Sequence, residues 1–386
     1  MAALVRAALA MAIALTMTGT SPSATQAELG RTALAMDLVT RLARKDPTAN
    51  VMISPFSLTA VLAMLETGAG GDTRDKLRAA LGVKGDKDAA RFREGERAVL
   101  GELRRTEPLV VLQAANGVWN SPRLPIKPAF AAALRAYFDA PATPLDFTRP
   151  DALATVNEWV RDKTRGAIPV LVSDLPKETL LVLANALYFK AKWSAAFDPA
   201  ETRQAPFTRA DGAQQPAFLM SRKGKFQYLE NAAGQAVRLP YGDGRFTMTL
   251  LLPREGNAPP DLAQMLRANL YKPSQGTVTL PRLKFDMLLR LADVLGEVGL
   301  GGVFSDNADY RGIATTGFHP TQVVQRVAVT VDETGTEAAA ATAGLVERSG
   351  SDARAFTMIC DRPFYFVIDD AKTGAALFAA HVGDPS

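Results

Sequence analysis

Apolar positions recur at helical spacing over 28–44, where Leu29, Ala33, Met36, Leu38 and Leu42 are separated by polar residues, and the spacing predicts a helix. A short apolar strand follows over 51–54. Ser54-Pro55 stops it, and Ser57 reads as the cap of a helix through Leu65. Gly68 to Gly71 ends that helix, and another begins over 73–81. The pattern then predicts a buried strand over 110–119, a helix over 128–137 and an amphipathic helix over 153–164 with Val156, Trp159 and Val160 on one face. Residues 180–189 are almost all apolar, as in the central strand of a sheet. From Phe207 onward strands dominate, over 237–239, 247–252, 277–283, 323–331, 356–359, 364–368 and 375–382, with one helix over 287–295. Helices crowd the first half and strands the second, which predicts an α+β fold. No repeat or low-complexity linker divides the chain.

The first 27 residues stand apart. One early charge, Arg6, precedes an apolar run over 7–17 and a small, polar stretch over 18–27. That is the order of a secretory signal, with Thr25 and Ala27 at the −3 and −1 positions. The expected organisation is a signal over 1–27 and one domain over 28–386. The mature chain is expected in the extracellular space or periplasm, free of the membrane once the signal is cut.

Composition narrows the chemistry. Of 386 residues, 47% are hydrophobic and 22% charged, enough for a large core. The net charge of +4 is too small for a nucleic-acid footprint unless the charges cluster. Arg91, Arg93, Arg97, Arg104 and Arg105 form a basic stretch, but Glu94, Glu96 and Glu102 dilute it, so it reads as a solvated helix face. One cysteine, Cys360, and two histidines, His319 and His381, exclude an intrachain disulfide and a histidine-rich zinc site. Hydrolase elbows, P-loops and zincin motifs are missing, and the glycines at 68–71 follow a helix, as a turn does, rather than a strand. Both histidines read as structural, although either would have to serve as base if the protein were a hydrolase.

The segment from Asp332 to Thr342 is unusual. No large apolar residue lies between Val331 and Leu345, and Ala338 to Ala341 favour a helix by propensity. Composition alone therefore allows a surface helix or a linker. Alternation allows something else. As a strand, Thr336, Ala338, Ala340 and Thr342 would share one face, all small and uncharged, with Gly335, Glu337, Ala339 and Ala341 on the other. Such a strand could enter the middle of a sheet without steric or charge penalty.

At this point the residues match a known family. Asn50-Val51-Met52-Ile53-Ser54-Pro55-Phe56-Ser57-Leu58 resembles the early strand–helix motif of the serpins, and Asn185-Ala186-Leu187-Tyr188-Phe189-Lys190-Ala191-Lys192-Trp193 their central-strand motif, continued by Phe197 and Thr202. Leu239-Pro240-Tyr241, Leu280-Pro281-Arg282 and Arg362-Pro363-Phe364 stand where similar triplets stand in serpins, and 333–342 resembles the hinge of their reactive loop. The resemblance spans nearly the whole mature chain and points to a secreted, bacterial-type member. It implies an α+β fold of three β-sheets and about eight or nine helices, with an exposed reactive-centre loop over about 333–356.

It further implies inhibition rather than catalysis. A target serine protease, sometimes a cysteine protease, attacks the loop and forms an acyl-enzyme. The hinge, Glu333 and Gly335 to Thr342, then inserts into the main sheet and drags the protease with it. Inserting about 12 residues forms on the order of 20 hydrogen bonds worth about 0.5–1.5 kcal/mol each, against ordering costs of about 1–2 kcal/mol per residue. These nearly cancel, so strain in the uncleaved sheet has to set the direction.

Counting from Gly335 by the family's register reaches Ser349, and one residue back is Arg348. Arg348-Ser349 is the expected scissile bond because a basic residue suits a trypsin-like protease, with Ser349-Gly350 and a bond near Arg354 as the other candidates. The resemblance also implies a pair between Arg282 and Glu333 near Trp193, and a shutter built from Ser54, Ser57 and Asn185. There many serpins carry a histidine where this chain has Gln325. Glutamine can donate and accept as well, so a working but altered shutter is expected. No metal, cofactor or nucleic acid is implied, and the expected state is a monomer. The alternative is a non-inhibitory carrier of the same fold.

Overall fold

The computed structural model describes residues 22–385 apart from 106–107, 256–261, 316, 321 and 336–354. The first half runs α1 (Pro22–Lys45), β1 (Val51–Ile53), α2 (Pro55–Gly68), α3 (Gly71–Leu81), α4 (Gly85–Leu103), β2 (Val110–Asn120), α5 (Pro128–Phe138), β3 (Ala142–Pro144), α6 (Ala152–Lys163) and β4 (Leu181–Ala191). The second runs β5 (Arg203–Thr208), β6 (Gln214–Asn231), β7 (Gly234–Tyr241), β8 (Phe246–Pro253), α7 (Leu262–Met265), β9 (Lys272–Pro281), β10 (Leu283–Arg290), α8 (Leu291–Val294), β11 (Gln322–Val331), β12 (Phe356–Ile359), β13 (Phe364–Asp370) and β14 (Ala376–Val382).

The main sheet has five strands in the order β10-β11-β4-β2-β3. β10/β11 and β4/β2 are antiparallel, whereas β11/β4 is parallel, with Gln322–Val329 opposite Val182–Phe189. The remaining strands form one nine-stranded network. In it β6, 18 residues long, pairs with β5 at its N-terminal end, with β9 along its middle, Leu219–Tyr228, and with β7 at its C-terminal end. Two sheets that the resemblance counts separately therefore share this long strand.

α2 lies between the two networks, packing on β4 and β11 on one side and β14 on the other. Leu58, Val61, Leu62 and Leu65 are fully buried there. Wrapped by apolar strands, the helix needs no polar face, which is why its sequence carries no amphipathic stripe.

Several expectations need correction. The cap of α2 is Ser54, whose side chain accepts a hydrogen bond from the Ser57 backbone N–H, and Pro55 opens the first turn; the helix runs on to Gly68. Residues 287–290 extend β10 and pair with 324–327, so the expected helix over 287–295 keeps only α8 and a following 3₁₀ turn. Met, Leu and Arg are good helix formers, but such preferences amount to only some tenths of a kcal/mol per residue, and the partner strand overrides them. The expected strand over 277–283 is two strands in different sheets, parted at Arg282. The strand over 110–119 is buried only from Ala115 onward.

Candidate functional site

The chain leaves β11 beside the end of β4. Asp332 turns it: the carboxylate Oδ1 accepts hydrogen bonds from the Thr334 N–H at 2.9 Å, the Thr334 hydroxyl at 2.7 Å and the Gly335 N–H at 3.1 Å. Gly335 then bridges back to Lys192. Its φ is +135°, and a Cβ there would sit 2.2 Å from the Ala191 carbonyl oxygen, so glycine is required at this point.

Glu333 is held inside this turn. Arg282 donates from Nε at 2.9 and 3.1 Å to its two carboxylate oxygens and from a terminal nitrogen at 2.7 Å to Oε1. The Thr202 hydroxyl donates to Oε1 at 2.6 Å, and the Phe197 N–H donates to the Glu333 carbonyl at 2.8 Å. Glu333 is 6% exposed, whereas the Arg282 side chain remains half exposed over the Phe218 ring. Burial pushes the Glu333 carboxyl up, but the hydrogen bonds from Arg282 and Thr202 outweigh it and hold the group below its ordinary value.

Trp193 closes the same corner. Its indole N–H donates to the Asp332 carbonyl at 2.9 Å, its backbone N–H to the Thr334 carbonyl at 3.0 Å, and its ring stacks on Tyr241 at 4.1 Å.

Lower down, Gln325 lies opposite Asn185 in the parallel pair β11/β4. Its amide makes two bonds to one residue: Oε1 accepts from the Ser54 N–H at 2.9 Å and Nε2 donates to the Ser54 carbonyl at 3.1 Å. The side chain is fully buried. It pins the start of α2 to the underside of the seam. Asn185 turns away from Gln325 and donates to Asn116 Oδ1 on β2 at 2.8 Å, and Asn116 in turn donates to the Phe138 carbonyl. The Ser57 hydroxyl and Asn185 Oδ1 are buried without a hydrogen-bond partner among the described residues.

Glu333, Arg282, Trp193 and Gly335 therefore meet at the mouth of the seam, and Gln325, Ser54, Ser57 and Asn185 lie beneath it. The expected hinge residues Thr336, Glu337, Ala338, Ala339, Ala340, Ala341 and Thr342, the expected bond Arg348-Ser349, and most of the expected signal lie outside the described residues. Sequence reasoning missed three contributors: Asp332, Thr202 and Asn116. Asp332-Glu333-Thr334-Gly335 carries an Asx-turn signal that could have exposed the first; the others depend on long-range contacts.

The histidines and the cysteine sit in structural settings. His381 is buried with Nδ1 3.0 Å from the Ala49 carbonyl oxygen, burial holding its pKa below the ordinary value, and His319 pairs with Asp306. Cys360 is fully buried, which pushes its thiol pKa up and away from reactivity. Among the described residues no cluster of His, Cys, Asp or Glu could hold a metal ion, and no helix is long and apolar enough to cross a membrane.

The family model described as Serpin (serine protease inhibitor) matches residues 30–385. The chain belongs to the serpin family. This serpin is 30% identical over 389 residues to the leukocyte elastase inhibitor of Bos taurus, covering 93% of this chain and 100% of that one. The native stressed conformation of Arabidopsis AtSerpin1 superimposes with a TM-score of 0.81 at 25% identity, covering 95% and 99% of the two chains. Human thyroxine-binding globulin complexed with its hormone shares the fold at 21% identity, with a TM-score of 0.82 over 94% of this chain and 100% of that one. Serpins are generally protease inhibitors, although some members of the family do not inhibit.

Proposed function

We propose that this serpin inhibits trypsin-like serine proteases as a suicide substrate, with the loop around Arg348-Ser349 as bait. The observation that carries the reading is the parallel seam. β11 and β4 run the same way, and the turn at Asp332–Gly335 reverses the chain at the end of β11. A strand entering from Gly335 would run antiparallel to both neighbours, replacing one parallel contact by two antiparallel ones, which are slightly more stable per residue. The small residues Thr336, Ala338, Ala340 and Thr342 suit the buried face of such a strand.

In this reading the protease serine attacks the Arg348 carbonyl carbon and the amine of Ser349 departs. The resulting ester is carried along as the hinge inserts, before water can cleave it. The Glu333–Arg282 contact keeps the mouth shut until then. The protein acts as a monomer outside the cytoplasm, exported by 1–27.

Incubation with trypsin followed by denaturing electrophoresis should give a covalent complex, and mass spectrometry a released fragment beginning at Ser349. Absence of a complex with every trypsin-, chymotrypsin-, elastase- and subtilisin-like protease tried overturns the inhibitory reading. A fragment with another first residue moves the scissile bond.

A further inference from the structure

The free edge of the main sheet carries features that protease trapping does not use. β3 pairs with β2 only at Val118–Asn120, because Asp139, at φ +48°, and Pro141 turn the incoming chain away below that point. Along 110–117 the other edge of β2 makes no backbone hydrogen bond to a described residue. Sheet edges are normally guarded by charges or proline, but this stretch reads Val-Val-Leu-Gln-Ala-Ala-Asn-Gly and has neither.

The edge faces a groove of about 720 Å³ bounded by the end of α4, the α5–β3 connection and α6. Trp119 and Trp159, edge to face at 5.0 Å, form its wall at Gly117, where a Cβ would clash with both rings. Val111 and the adjoining Leu109 are 40% and 47% exposed. Among the described residues that line it, Arg104, Arg105, Lys163 and Arg165 ring the groove against one acidic residue, Asp139. Arg104 pairs with Asp139 and Arg105 with Glu102, but Lys163 and Arg165 make no ion pair with a described residue.

We propose that this groove binds an extended acidic segment of a partner protein, which adds to β2 as an edge strand below β3. The backbone of β2 supplies the hydrogen bonds, Val111 and the partly exposed Trp159 take alternate apolar side chains, and the cations take the carboxylates between them. A second copy of this chain is a poor occupant, since edge-to-edge pairing would set the two cationic rims against each other. The site is separate from the β11/β4 seam and does not depend on the inhibitory reading.

The test is fluorescence anisotropy of the full chain with a labelled decapeptide of alternating glutamate and valine. Saturable binding is expected. It should fall at least about tenfold when alternate peptide nitrogens are methylated, which removes strand hydrogen bonding, and at least about tenfold in the exposed double variant Lys163→Glu, Arg165→Glu. The proposal is overturned by unchanged binding of the methylated peptide, which would mean a charge-only contact, by unchanged binding to the double variant, by equal binding of a lysine–valine decapeptide, or by no saturable binding at all. A dimer in sedimentation that is lost in the same double variant would also overturn it, naming a second copy as the occupant.

Discussion

Gln325 spends both halves of its amide on one residue, satisfying the N–H and the carbonyl of Ser54 where α2 begins. Replacing it with alanine leaves the Ser54 N–H buried and unpaired, while the Ser54 carbonyl keeps the hydrogen bond it accepts from the Leu58 N–H at 2.9 Å. The Gln325→Ala variant should lose about 1–3 kcal/mol in urea unfolding, and unchanged stability would refute the bracing role. Glu333 is the second decisive side chain. Its carboxyl is held below the ordinary value of 4.5, so its contribution is fully present above that pH and is lost as pH falls through the lower, folded value. Glu333→Gln should cost about 1–2 kcal/mol at neutral pH, limited by the half-exposed Arg282, and should flatten the acid limb of the stability–pH curve. Identical acid limbs for the two proteins would sink this assignment. The Arg282–Glu333 pair was legible from the resemblance. The Asp332 turn carried a local signal that went unread, whereas the Thr202 hydroxyl could not be read, because its contact depends on where the start of β5 lies in space.

Among the elements, the parallel pair β11/β4 matters most. Both strands could be read from their apolar runs, but parallel pairing could not, since direction depends on which strands become neighbours. The hinge alternation makes its own prediction at this scale. Thr336→Arg would have to bury a charge on insertion, so the variant should be cleaved as a substrate without forming a covalent complex on a denaturing gel. Trapping with unchanged stoichiometry would refute the register. The error over 287–290 has the same origin as the hidden direction of the seam: Met287 and Leu288 read as helix until β11 is laid beside them. The basic stretch also resolves only in three dimensions. Arg93 is spent on buried Glu66, and Arg91 and Arg97 on their own helix neighbours, which leaves Arg104 and Arg105 at the groove beside β2.

For the whole molecule, the inhibitory reading requires a native state that is not the most stable one. Cleaving the loop should therefore raise the midpoint of thermal unfolding by more than about 10 °C, followed by circular dichroism before and after limited proteolysis. A carrier with a fixed sheet would show no such rise.

The sequence by itself determined the α+β class and the serpin relationship, and the resemblance implied the Glu333–Arg282 pairing. These rest on local pattern, side-chain size and charge, which a linear chain carries openly. Only the tertiary structure decided that β11 and β4 run parallel, that Gln325 braces Ser54 rather than Asn185, and that β2 keeps a bare edge ringed by cations. Each of these depends on which distant segments lie side by side, and backbone pairing across a sheet leaves almost no trace in the residues that make it.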